Sequence, residues 1–169
     1  MSGLAPEPPG LVPMALRSRP GPRPTTCPEL PHTQLDQQPD TQIRAQLIRR
    51  ASTIPGVEAR LTDAPTPGTL ALYPTSAPST STDGSEVGGH FGHLHAHPDC
   101  SVHLRLPAGL AAAVIAAGWG EPHHEPDDAA GMPGTALMIY APRTQEELAV
   151  VVDLLLRAHQ FVTGGLSSR

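Results

Sequence analysis

Histidines at alternate positions in two neighbouring segments carry the clearest chemical signal in this chain. His93, His95 and His97 alternate with apolar residues, and after Pro98-Asp99-Cys100 the sequence continues as Ser101-Val102-His103-Leu104-Arg105. Because successive side chains of a β-strand point to opposite faces, the histidines within each segment share a face. The pattern therefore predicts a β-hairpin with polar residues on one side and apolar residues on the other.

The register of this hairpin follows from the requirement that its two faces stay separate. With Pro98-Asp99-Cys100 as a three-residue loop, His95 pairs with His103, and His93 pairs with Arg105. A two-residue loop would mix polar and apolar side chains on each face. We therefore predict the three-residue loop.

Three further residues are predicted from this register. Cys100 would take the last loop position, where the left-handed backbone conformation and glycine are preferred. His97 flanks the loop and is expected at the surface, whereas His90 is expected on the opposite face of the hairpin.

Three imidazoles placed in this way could hold a metal ion. Paired residues on neighbouring strands have Cβ atoms about 5 Å apart, and same-face neighbours on one strand are about 7 Å apart. His93, His95 and His103 with an open fourth position are typical of a catalytic site for zinc or another divalent metal. A solvent-facing strand that happens to carry histidines, or a metal-free imidazole pocket, would give the same pattern, and all three interpretations stay open.

A second candidate group follows the only tryptophan. Glu121 and His123 lie two residues apart after Trp119, so in an extended segment they share a face. A histidine oriented by a carboxylate is an arrangement for general-base catalysis, and either side chain could also support a metal. In the alternative interpretation Trp119 belongs to the core and His123 is exposed.

Composition divides the chain into an arm and one domain. Of its 169 residues 21 are prolines, and they are crowded before Asp40, which favours an extended linker that adds little to the core. We predict an N-terminal Pro-rich arm over residues 1–39 and a single domain over residues 40–165.

Charge and motifs exclude several classes of partner. The net charge is −5 and no basic stripe is present, which argues against nucleic acid. No uninterrupted apolar stretch could span a bilayer, and no loop suited to a flavin or a nicotinamide cofactor occurs. Two cysteines, Cys27 and Cys100, are too few for a disulfide framework, so free thiols and a cytoplasmic location are expected. With nucleic acid and membrane excluded, a small-molecule ligand is the expected partner.

Helix and strand signals predict an α+β fold. Asp40 is a helix N-cap, Pro107 opens a second helix, and Thr144 with Glu147 forms a capping box before a third. The order of helix, strands, hairpin, helix, strand and helix indicates a mostly antiparallel sheet of about five strands with three helices on one face. Residues 74–89 and 125–134 are predicted surface loops.

Several motifs together resemble the luciferase-domain family, small bacterial and fungal proteins named for the luciferases of bioluminescent fungi. They include His93-Leu94-His95, the segment around His103, Gly118-Trp119-Gly120-Glu121-Pro122-His123 and Met138-Ile139-Tyr140-Ala141-Pro142-Arg143. The resemblance covers residues 17–163, including the arm motif Pro31-His32-Thr33-Gln34-Leu35, and implies that the arm is ordered against the domain. Cys100 stands where the family pattern has glycine.

The resemblance implies a site but no reaction for this chain. The fungal enzymes oxidise a polyphenolic pyrone with oxygen and emit light. The matching site residues here are His93, His95, His103, Glu121 and His123. We expect a histidine-lined pocket for a small electron-rich organic molecule, with cofactor-independent oxygenase chemistry, or else a non-enzymatic metal- or ligand-binding module.

Overall fold

The computed structural model describes residues 16–76, 89–123 and 134–164, and the helices and strands below are those of this part of the chain. In chain order they are α1 (Thr41–Ser52), β1 (Val57–Thr62), β2 (Thr69–Pro74), β3 (Gly92–Leu94), β4 (Val102–Leu106), α2 (Ala108–Ala116), β5 (Gly120–Pro122), β6 (Thr135–Ile139) and α3 (Gln145–Val162). The predicted α+β class is confirmed, with six strands instead of about five. The arm before residue 16 and most of the two predicted loops lie outside the described residues.

The six strands form one antiparallel sheet. Their order is β1-β2-β3-β4-β6-β5. Strands β3 and β4, which carry His93 and His103, lie in the middle of the sheet. Strand β6 separates β4 from β5, so Glu121 on β5 lies two strands away from the histidine hairpin.

The two faces of the sheet differ in character. Val102, Leu104 and Ile139 are buried on the apolar face, where α1, α2 and α3 pack. The opposite face is polar, and one row of paired residues crosses it from β2 to β5: Ala71, His93, His103, Met138 and Glu121. Along this row His93 and His103 are direct neighbours, and Met138 separates His103 from Glu121.

The helices begin where the sequence predicts. The Asp40 side chain accepts a hydrogen bond from the Ile43 N–H (2.7 Å), and the Thr144 hydroxyl accepts one from the Glu147 N–H (3.2 Å). Helix α2 follows Pro107 directly. Only half of the predicted capping box forms at α3, because the Glu147 carboxylate accepts the Arg143 N–H (2.8 Å) instead of turning back to Thr144.

Residues 16–39 of the arm pack against the domain. His32 and Gln34 are buried, the Arg19 N–H donates to the Ala117 carbonyl (2.9 Å), and the Trp119 indole N–H donates to the Arg17 carbonyl (2.6 Å). The composition-based expectation of a linker is wrong for these residues, although among them only Leu16 packs against the hydrophobic core. A proline-rich segment has less backbone entropy to lose, so a few specific hydrogen bonds suffice to order it. The boundary at residue 39 stays a prediction.

Two further expectations concern the whole chain. Both cysteines are free thiols, as predicted. None of the helices in the described residues is long and apolar enough to cross a membrane. The cytoplasmic location stays a prediction.

Candidate metal centre

The histidine hairpin forms, but its register differs from the prediction. His93 pairs with His103, and the His95 N–H donates to the Ser101 carbonyl (3.0 Å). The predicted pairs of His95 with His103 and of His93 with Arg105 are therefore wrong by two residues. Alternation of side chains fixes only which face each residue takes, and a shift of two residues leaves every histidine on its predicted face.

The turn explains the register. The Cys100 N–H donates to the Ala96 carbonyl (3.3 Å), so the turn closes one residue earlier than predicted. The Asp99 carboxylate holds it in place, because its Oδ1 accepts the N–H groups of Ser101 (3.2 Å) and Gln34 (2.8 Å). The position of the turn therefore depends in part on the contact between Asp99 and Gln34 of the arm. The residue preferences of isolated turns carry no information about such a distant contact.

The predictions for Cys100 and His97 agree with the structure, and the prediction for His90 does not. Cys100 adopts the predicted left-handed conformation, with φ at 59°. His97 is exposed, as predicted. The expectation for His90 is wrong: its Nε2 lies 3.1 Å from Nδ1 of His93, on the polar side of the sheet. His90 precedes the first paired residue of β3, so strand alternation does not govern where its side chain points.

His93, His95 and His103 form a compact buried cluster. Their ring centroids lie 4.3–5.2 Å apart, and one nitrogen of each ring lies within 4.8 Å of the other two. Among the described residues, no hydrogen-bond partner reaches Nε2 of His93, Nε2 of His95 or either nitrogen of His103. An unsatisfied buried polar atom costs about 1–3 kcal/mol, so three such side chains together require an explanation.

The outer nitrogens of two of these rings are engaged. Nδ1 of His95 is hydrogen-bonded to the Asp99 carboxylate, and Nδ1 of His93 contacts His90. A carboxylate on one nitrogen fixes the tautomer and leaves the lone pair of the other nitrogen pointing inward. Nε2 of His93 and Nε2 of His95 stay buried without a hydrogen-bond partner among the described residues, and are thus available as metal ligands.

The cluster favours uncharged imidazoles. Burial, followed by the neighbouring histidines, lowers the pKa of His93 to about 2 and holds the pKa of His103 well below its usual range. Both rings are neutral at physiological pH. A neutral imidazole is the form that binds metals.

A second group lies beside the cluster. The ring of His123 meets the ring of His103 edge to face, with centroids 4.3 Å apart. Nδ1 of His123 lies 3.0 Å from Nδ1 of His32, whose Nε2 lies 2.6 Å from Glu121. The Tyr140 hydroxyl donates to the same carboxylate (2.9 Å). Glu121 therefore reaches the histidines through a residue of the arm.

Hydrogen bonds keep this carboxylate ionised. Burial alone would raise the pKa of Glu121, but the side chains of Thr26, His32 and Tyr140 outweigh it and hold that pKa below its usual value. Burial, with the hydrogen bond to Glu121, raises the pKa of Tyr140 to about 12. Tyr140 is thus a stable hydrogen-bond donor, and Glu121 is a stable acceptor.

Comparison with known proteins assigns this arrangement to a family. The sequence model of the luciferase domain matches residues 88–159, which contain the whole histidine cluster. A luciferase of Armillaria ostoyae is 36% identical over 167 residues, and one of Armillaria mellea is 35% identical over 167 residues. Both alignments cover 88% of this chain and 61% of the relative. The chain belongs to the luciferase-domain family.

Two further facts bound this relationship. A luciferase of Neonothopanus nambi is 39% identical over 69 residues, which are 39% of this chain and 25% of that protein. The chain spans about three fifths of the length of the Armillaria luciferases that it matches. No solved structure matches it significantly.

The donor set of this luciferase domain suits a metal ion. A tetrahedral ion at about 2.1 Å from each nitrogen requires nitrogens about 3.4 Å apart, and one nitrogen of each of the three rings lies within 4.8 Å of the other two. A cavity of about 20 Å³ lies beside the cluster and is lined by His93 and His103, together with His90, Arg105 and His123, whereas His95 does not line it. Such a volume admits one water or ion.

All five predicted site residues lie on the polar face, and the structure adds others. His93, His95 and His103 converge, and His123 contacts His103, whereas Glu121 joins through His32. Trp119 belongs to the core, as the alternative interpretation held, but His123 is half-buried and not exposed. Sequence reasoning did not select four further residues: His32, His90, Asp99 and Tyr140. His32 and Tyr140 carried a signal, since both lie in motifs that resemble the family.

Proposed function

We propose that this luciferase-domain protein binds a divalent transition-metal ion through His93, His95 and His103. The observation that carries the proposal is the convergence of three buried imidazoles whose inner nitrogens have no hydrogen-bond partner among the described residues. An ion would satisfy these nitrogens at once. Three neutral histidines with an open position are the ligand set of catalytic metal sites.

The outer partners of the ligands support the same function. Metal-binding histidines usually give their second nitrogen to a carboxylate or another acceptor, and such partners strengthen binding by 10–100-fold. Asp99 occupies that position behind His95, and His90 contacts Nδ1 of His93.

The proposed substrate is a small electron-rich organic molecule, with oxygen as the oxidant. The relatives are named luciferases, and such enzymes couple an oxidation to light emission. A cavity of about 20 Å³ is far smaller than the roughly 300–1,000 Å³ of sites that enclose organic ligands. The organic molecule would therefore bind over the opening and reach the ion from outside.

A metal-free reaction is the second candidate, and one observation favours it. Glu121, His32 and His123 form a chain in which a carboxylate orients a histidine pair, which is the arrangement of a general base. In this version His123 removes a proton from the substrate and oxygen attacks the carbanion. His93 and His103 suit this role less well, because a general base works best with a pKa near the pH of the reaction.

Elemental analysis of protein purified without an affinity tag separates the two candidates. We expect one equivalent of zinc, iron, manganese, cobalt or copper per chain, and its loss in His95→Ala and His103→Ala. His97→Ala is the matched control, because His97 belongs to the same hairpin and is exposed. Protein that contains no metal and is not stabilised by any of these ions would exclude the metal centre and leave the metal-free reaction.

A further inference from the structure

The arm residues 24–36 form a small hairpin of their own, here called the strap. The Cys27 N–H donates to the Thr33 carbonyl (2.9 Å), and the Leu35 N–H donates to the Thr25 carbonyl (2.8 Å). Asp36 closes the strap by accepting the N–H (2.8 Å) and the hydroxyl (2.8 Å) of Thr25. The strap is thus held together by hydrogen bonds of its own, separate from those that join it to the domain.

Two residues of the strap reach the polar face of the sheet. His32 and Gln34 are 4% and 2% exposed, whereas Leu35 between Gln34 and Asp36 is 56% exposed. Because side chains alternate along an extended segment, residues 32 and 34 share one side of the strap. That side lies against the luciferase-domain site.

Gln34 connects the strap to a metal ligand. Its main-chain N–H donates to Oδ1 of Asp99 (2.8 Å), whose other oxygen is bonded to Nδ1 of His95. Its side-chain carbonyl accepts the Ala141 N–H (2.8 Å), which ties the strap to the end of β6. The orientation of His95 therefore depends on a hydrogen bond donated by the arm.

His32 connects the strap to the second group. Both of its nitrogens are used, one toward His123 (3.0 Å) and one toward Glu121 (2.6 Å), and its ring lies 5.9 Å from that of His103. The strap thus contacts the site at two points: at Asp99 beside His95, and at His123 and Glu121 beside His103.

We infer that the strap is a working part of the metal centre: Gln34 and His32 are positioning residues, and strap docking and metal binding strengthen each other. This inference rests on the proposed metal site. If docking orients the ligands, then by reciprocity the metal must favour the docked strap by the same factor. Detachment of the strap would weaken the centre without any change in its ligands.

Hydrogen exchange on the full chain tests one direction. Peptides covering residues 27–36 should exchange at least tenfold more slowly after one equivalent of Zn²⁺ is added. Strand β1, at the far edge of the sheet, serves as the internal control and should exchange at an unchanged rate. Bound zinc with no slowing in the strap, or equal slowing in β1, would overturn the inference and leave the metal site standing.

Substitutions test the other direction. Gln34→Ala removes the side-chain bond to the Ala141 N–H, which holds the Gln34 main-chain N–H against Asp99, and His32→Ala removes the contacts with His123 and Glu121. Each variant should weaken Zn²⁺ binding about tenfold in chelator competition and shift the visible spectrum of the Co²⁺-loaded protein. Leu35→Ala, in the same strap with its side chain exposed, should change neither measurement.

A purely structural strap predicts a different result. In that case Gln34→Ala and His32→Ala lower the melting temperature but keep the wild-type zinc affinity and cobalt spectrum, and the inference is wrong. If the wild-type protein binds no Zn²⁺ or Co²⁺ at all, the proposed metal site fails, and the strap's role as part of it fails with it.

Discussion

At the scale of single residues, the site depends on which nitrogen of each imidazole is already engaged. Asp99 takes Nδ1 of His95 and leaves Nε2 directed into the cluster. The same carboxylate also accepts two main-chain N–H groups through Oδ1. One side chain therefore shapes the turn and orients a ligand.

Asp99→Asn separates these two roles. The amide oxygen can still accept the two N–H groups, but the negative charge behind His95 is lost. We expect zinc affinity to fall 10–100-fold with little change in fold, measured by competition with a chromophoric chelator. Asp63→Asn, at an exposed carboxylate in the β1–β2 connection, is the control. Equal affinities of Asp99→Asn and wild type would contradict this role for Asp99.

The same scale shows where sequence reasoning ends. Alternation alone predicted His93, His95 and His103 on one face, because strand periodicity is local. His32 could not be assigned, since its contact with Glu121 spans 89 residues. The contact that joins Asp99 to the arm, with Gln34, spans 65 residues. Contacts of this kind have no local periodicity.

At the scale of elements, α3 is anchored to the arm by a buried ion cluster at its first turn. Glu147 is 3% exposed. Its carboxylate accepts hydrogen bonds from the main-chain N–H and the guanidinium of Arg143, and it lies 3.8 Å from the guanidinium of the buried Arg19. Arg143 in turn donates to the Pro20 carbonyl (2.6 Å). The helix terminus and the arm thus depend on one carboxylate.

Glu147→Gln should destabilise the protein by about 3 kcal/mol, because it leaves the buried guanidinium of Arg19 without its counter-charge. The neighbouring Glu146 is exposed, so Glu146→Gln is the matched control and should cost less than about 0.5 kcal/mol. Urea unfolding measures both. Equal unfolding midpoints for the two variants would show that the cluster contributes no net stability.

The elements themselves were largely predictable, and their pairings were less so. Asp40, Pro107 and Thr144 each lie at a helix start, because capping is determined by a few adjacent residues. The hairpin register failed because the alternating pattern repeats every two residues. The position of β6 between β4 and β5 likewise depends on packing across the whole sheet.

At the scale of the whole molecule, the buried histidines link folding to pH. His93 and His103 are neutral when folded, with pKa values below the ordinary histidine value of about 6.5, and regain that value when unfolded. The unfolded chain therefore takes up more protons as the pH falls below 6.5. Their contribution to stability is complete above that pH and is lost progressively below it.

Metal-free protein should consequently lose stability well before its carboxylates titrate. Each histidine contributes a limiting slope of about 1.4 kcal/mol per pH unit, so the two together approach about 2.7 kcal/mol per unit once the pH is below about 5.5. Urea midpoints at pH 7.5, 6.0 and 5.0, in the presence of a chelator, measure this. His93→Gln should remove about half of the slope, and His97→Ala should leave it intact. Constant stability from pH 7.5 to 5.0 would contradict the neutral buried cluster.

The strap also determines when the site is complete during synthesis. Residues 24–36 leave the ribosome early, but their partners Asp99, Glu121 and Ala141 follow 65 to 107 residues later. Closing such long loops costs conformational entropy, which only the contacts with the folded sheet can offset. The strap therefore stays exposed until β6 has been synthesised and paired. A nascent chain that stops short of Ala141 already contains His93, His95, His103 and His123, and it still lacks the anchor that holds the strap over them.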